Sequence, residues 1–116
     1  MKKAFCFVCL AAIVAGCAKQ PGEISPVAMG DVYSNVSCNH AVQLYNKEAA
    51  KVPALVASQK QAVTGDAVGV FLLGVPVSSL SGADLEGEIG ATKGKLVALS
   101  AKLDTCGKPH TPITWG

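Results

Sequence analysis

Four side chains in this sequence are of types that could act together on a metal ion or on one another. Cys38 and His40 stand two residues apart, and Cys106 and His110 stand four apart near the other end of the chain. Two thiolates and two imidazoles are a ligand set for tetrahedral zinc. The same cysteines, oxidised, would form a disulfide instead, because sulfurs joined in an S–S bond cannot both bind metal as thiolates. The compartment decides between these outcomes, and both require positions far apart in the chain to meet. Other chemistry is poorly represented. There is no Gly-x-Ser-x-Gly elbow, P-loop or His-Glu-x-x-His helix, and the glycines at 65, 69 and 74 lack the spacing of a dinucleotide fingerprint. Asp84, Glu86 and Glu88 fit the positive start of a helix better than a catalytic carboxylate pair. No catalytic residue is assigned, and an enzyme is not expected.

The elements that must position the Cys/His set are two helices. Ser37 is a good N-cap, and after it apolar or small residues recur at spacings of four and three: Cys38, Val42, Tyr45, Ala49, Val52, Val56, then Gln59 and Val63. Lys47, Glu48, Lys51 and Lys60 fall off this stripe, as a solvated face requires. Pro53 removes a backbone donor and crowds the carbonyl of Ala49, so a kink or short break is expected there. The second helix opens at Ser81-Gly82-Ala83-Asp84, with the N-cap and third-position acid of a capping box. Its stripe is Leu85, Ile89, Thr92, Leu96, Leu99, Leu103 and Cys106, and Gly107 follows as a C-terminal cap. Laid antiparallel with Cys106 facing Cys38, the stripes place Leu103 near Val42, Leu99 near Tyr45, Leu96 near Ala49, Thr92 near Val52, Ile89 near Val56 and Leu85 near Gln59. The expected fold is therefore all-α, an antiparallel two-helix hairpin over about 37–64, reaching 73, and 82–106.

The compartment is written at the start of the chain. Lys2-Lys3 precede an apolar run from Ala4 to Val14, the layout of a secretory signal, and Val14-Ala15-Gly16-Cys17 follows. This arrangement resembles the lipobox of bacterial lipoproteins. The resemblance implies that residues 1–16 are cleaved and that Cys17 carries a thioether-linked diacylglycerol and an N-acyl chain, palmitate-like lipids that are the only attached groups expected. It also implies that Ala18, rather than Asp, directs the protein to the outer membrane, facing the periplasm, in a Gram-negative host. Of the five cysteines, Cys6 and Cys9 leave with the signal and Cys17 is acylated, so Cys38 and Cys106 remain as an even pair in an oxidising compartment. A disulfide is the first expectation, and zinc held by Cys38, His40, Cys106 and His110 is the alternative. Closing so long a loop is worth on the order of 4 kcal/mol by the chain-entropy argument.

Removal of Lys2 and Lys3 from the ten basic residues leaves eight lysines to balance eight acids, with no arginine. Such a chain lacks the basic stripe of a nucleic-acid binder and a polybasic patch for anionic lipid. Residues 17–36 contain prolines and glycines without apolar period and are expected to be a lipidated tether. Between the helices, Ala67 to Leu80 carries no charge. A turn is expected at Gly74-Val75-Pro76, with Val70, Phe71, Leu72 and Leu73 as a membrane or partner contact too short to span a bilayer. Gly87, Gly90 and Gly94 give the second helix a small-residue face suited to self-association or to docking an envelope protein. Residues 107–116 contain Pro109 and Pro112 and form an extended tail ending near Trp115, expected on the hairpin or at a membrane surface.

The lipobox, the Cys-opened helix, the Gly-Val-Pro turn and the Lys93-Gly94 helix closing near a cysteine together resemble a group of small envelope lipoproteins without an assigned activity. That resemblance adds topology rather than function. A structural or interaction role in the envelope is the leading expectation. An exclusion or immunity role against phage, plasmid or toxin, and a metal-binding role through the Cys/His set, are the alternatives.

Overall fold

The computed structural model describes residues 18–73 and 85–116, the stretch 66–73 as backbone alone. The lipobox, the Gly74-Val75-Pro76 turn and the capping box at Ser81–Asp84 lie outside the described residues. Within them are a 3-10 turn at Pro21–Glu23 and three helices, α1 (Cys38–Ala49), α2 (Val52–Leu73) and α3 (Glu86–Thr105). No strand occurs among the described residues, so the all-α expectation holds. The closing turn of the expected hairpin falls outside them.

Local chemistry sets the helix ends. Ser37 Oγ accepts a hydrogen bond from the His40 backbone N–H at 3.2 Å, capping α1 as its sequence implies. The break expected near Pro53 is present and divides the run from Ser37 onward into two helices. Ala50 and Lys51 interrupt the run, and Pro53 falls in the first turn of α2, where a missing N–H leaves no helical bond unmade. The described part of the second long helix starts at Glu86, after Leu85. Its end is closed by Gly107 at φ 66°, with the Gly107 N–H donating to the Asp104 carbonyl at 3.1 Å and the Lys108 N–H to that of Leu103 at 2.9 Å. This paired pattern satisfies carbonyls that the last turn leaves open.

α1 and α2 run opposite to α3. Cys38 meets Cys106 at one end, while at the other the Leu85 N–H donates to Gln59 Oε1 at 2.8 Å. One buried cluster comprises Ala41, Tyr45, Val52, Leu96, Leu99 and Leu103, and a second comprises Ile24, Leu55 and Ile89. The stripe read on α3 is thus the buried one. On α1 and α2 the stripe faces the core without forming all of its centre: Val42, Ala49 and Val56 are partly buried and pack against the first cluster. Tyr45, Val52 and Gln59 are buried as expected, but the positions between them are Ala41, Glu48, Leu55 and Ala62, each one residue before the Val42, Ala49, Val56 and Val63 of the sequence reading. Both series have heptad spacing, and the seam rotates because α1 and α2 are covered from more than one side. Glu48 is correspondingly not on a solvated face. It is buried, with Lys51 Nζ 3.1 Å and Lys95 Nζ 3.9 Å from its carboxylate.

The covering layers are the two terminal segments. Residues 18–36 are not a free tether but a strap that follows α3 along its length, in the same direction. Lys19 pairs with Glu86 at 2.8 Å near the start of α3, the Val27 N–H donates to the Gly90 carbonyl at 2.9 Å, and Lys102 Nζ donates to the Ser34 carbonyl at 2.9 Å in the last turn. Ala18, Pro21 and Ile24 are buried, Ile24 in a cluster with Leu55 of α2 and Ile89 of α3. Prolines and glycines, read from sequence as flexibility, here permit an extended backbone to lie close to a helix. The C-terminal tail returns in the opposite direction. The Tyr45 hydroxyl donates to the Thr111 carbonyl, and Ile113 and Trp115 pack against the buried clusters.

Candidate functional site

Cys38 and Cys106 are joined in a disulfide with 5.8 Å between their Cα atoms. The bond fastens the first residue of α1 to the residue that caps α3. The two histidines do not join the cysteines in a common cluster. His40 is exposed near the start of α1, while His110 sits on Tyr45, with ring centroids 5.3 Å apart, and its Nε2 lies 2.9 Å from Asp104 Oδ1. Among the described residues, no three His, Cys, Asp or Glu side chains converge to hold a metal ion. This end of the molecule is a covalent clasp.

The small-residue face of α3 is occupied by the chain itself. Gly90 and Gly94 are buried under the strap. A Cβ on Gly90 would stand 3.2 Å from the Ser25 carbonyl oxygen, and one on Gly94 would run into the carbonyl of Val27. Gly87, with nothing near its missing Cβ, remains exposed. The close approach that these glycines permit is therefore used within one chain at positions 90 and 94. Val70, Phe71, Leu72 and Leu73 form the last described turns of α2, and Cys17 lies outside the described residues.

Two side chains that carry the assembly were not singled out in this role from sequence. Lys93 is buried, and its Nζ donates to the carbonyls of Pro21 at 2.6 Å and Ile24 at 2.7 Å. The Trp115 ring lies 5.0 Å from the same nitrogen, within range of a cation–π contact. Burial pushes the Lys93 ammonium below the usual lysine pKa. One ammonium thus binds strap, α3 and tail together. Gln59, fully buried, does the same at the far end: its Nε2 donates to the Lys19 carbonyl at 2.8 Å while its Oε1 accepts from Leu85. A polar residue on an apolar stripe was the available signal for Gln59. Lys93, flanked by Thr92 and Gly94 on faces that both become buried, could have been found by asking where its head would go.

Shallow grooves remain where the tail crosses the helices. The larger, about 370 Å³, is lined by Ala49, Pro53, Val56, Pro112 and Ile113 and is mostly apolar. The chain matches no protein-family model, no curated protein and no solved structure.

Proposed function

We propose that this chain is an acylated lipoprotein of the cell envelope, held by lipid on Cys17, with a structural or interaction role and no catalytic one. The observation that carries the reading is the uninterrupted order of Lys2-Lys3, the apolar run Ala4 to Val14, and Val14-Ala15-Gly16-Cys17. Supporting it, the disulfide engages Cys38 and Cys106, so Cys17 is the one cysteine of the processed chain left for acylation. The buried polar side chains Gln59, Lys93 and Glu48 all serve contacts that join segments of the protein. In this reading the helices form a hairpin closed through residues 74–84, clasped by the disulfide and wrapped by the strap and tail. With Ala18 after the acylated cysteine, the protein resides in the outer membrane of a Gram-negative host and faces the periplasm.

Expression in such a host with an alkyne analogue of palmitate tests the proposal. The wild-type protein should take up the label and fractionate with membranes. Cys17→Ser should lose the label and be retained as the longer, unprocessed chain. Equal labelling of both proteins would refute it.

A further inference from the structure

We infer that the acylated end and the apolar end of α2 enter the same leaflet, so that the protein stands on one membrane with its disulfide end pointing away. The inference rests on the lipoprotein reading and adds to it an orientation that the sequence leaves open. With a free tether of residues 17–36, the lipid and the tip of the helices could lie at opposite ends of the molecule. The strap removes that freedom. It follows α3 from the Ser34–Lys102 contact back to the Lys19–Glu86 contact, and Gln59 Nε2 holds the Lys19 carbonyl at 2.8 Å. Ala18 is buried beside these contacts. Cys17 directly precedes Ala18 in the chain. The anchor therefore belongs to the Gln59–Leu85 end, opposite Cys38–Cys106.

From that same end α2 continues to Leu73. The helix runs fourteen residues past Gln59 to Leu73, or roughly 21 Å at 1.5 Å per residue. Asp66 is the last charged residue before the helix becomes Ala67-Val68-Gly69-Val70-Phe71-Leu72-Leu73. That apolar stretch measures about 10 Å, matching the depth at which interfacial helices bury their apolar parts. None of the described helices is long and apolar enough to cross a membrane. The occupant that fits this end is the lipid surface holding the Cys17 acyl chains. Two acyl chains already suffice for stable attachment. The inserted end of α2 then fixes orientation, preventing the domain from pivoting about a single point.

The test uses the acylated protein purified from envelopes and reconstituted into phosphatidylcholine vesicles. A nitroxide is attached at Leu72→Cys in one sample and at Gln43→Cys, exposed near the clasp, in another. Acylation of Cys17 and the Cys38–Cys106 bond leave the introduced thiol as the reactive one. The label at position 72 should lose nearly all collision with an aqueous nickel chelate and keep collision with oxygen, while the label at 43 should show the reverse. Val70→Cys gives a second reporter if Leu72→Cys folds poorly. If the intact mass shows acyl chains but the labels at 70 and 72 meet the chelate as freely as that at 43, the orientation is wrong and the lipoprotein reading stands. Immersion of all three labels likewise overturns it, since the domain would then lie flat. A product without acyl chains removes both the lipoprotein reading and this inference.

Discussion

At the scale of single residues, the fold depends on polar side chains placed where apolar ones would be expected. Lys93 gives two short hydrogen bonds to the carbonyls of the buried residues Pro21 and Ile24 and offers its charge to Trp115. Methionine would preserve much of its stem while leaving both carbonyls without that donor. Lys93→Met is expected to cost about 2–3 kcal/mol, the range for losing a charge-assisted hydrogen bond. Urea unfolding followed through Trp115, the only tryptophan, reports directly on this contact. Tyr33 provides a pH-dependent counterpart. Its hydroxyl is pushed above 10.0, first by burial and then by the Glu48 carboxylate, with Lys51 opposing. A raised folded pKa means that its contribution to stability is fully present below 10.0 and is lost as pH rises through the folded value. Phenolate absorbance should show a component titrating above 10.0 that Tyr33→Phe removes. Glu48→Gln should move that component downward, and an unmoved midpoint would show that Glu48 does not act on it.

At the scale of elements, α3 was legible in sequence on one face and misassigned on the other. Leu96, Leu99 and Leu103 announce themselves by spacing because side-chain burial imposes a helical period. The strap leaves no such period, since much of its contact is made by backbone: Val27 N–H to Gly90, and the carbonyls of Pro21, Ile24 and Ser34 to lysines of α3. What the sequence did show was the cost of Gly90 and Gly94 within a helix, roughly 1 kcal/mol each relative to alanine. That cost called for a close neighbour, and the neighbour proved to be the preceding segment of the same chain. The rotated seam on α1 and α2 has a similar origin. Val42, Ala49 and Val56 pack at the edge of the core, while Ala41, Glu48 and Leu55, one position earlier, are the more deeply buried where strap and tail add cover. Two substitutions separate these roles. Gly87→Ala, in open space, should stabilise the protein by about 1 kcal/mol. Gly94→Ala collides with the Val27 carbonyl and should destabilise it by about 1–3 kcal/mol, the range for overpacking. Hydrogen exchange at the Val27 amide should accelerate in Gly94→Ala alone.

At the scale of the whole molecule, the pairing of Cys38 with Cys106 and the opposite course of their helices were legible because one register satisfied the stripes and the cysteines together. The structure adds that the two ends are inequivalent: one is covalently clasped, and the other receives both the strap's start and α2's apolar continuation. That division gives the lipoprotein account its physical content, since an anchor on a fixed strap orients the domain whereas an anchor on a loose tether does not. Its central claim is chemical and can be read from one sample. Intact and tandem mass spectrometry of the protein taken from envelopes should find a chain beginning at Cys17, bearing diacylglycerol and an N-acyl chain, with the mass deficit of one disulfide. A chain that retains residues 1–16, or that begins elsewhere with an unmodified Cys17, would contradict the account.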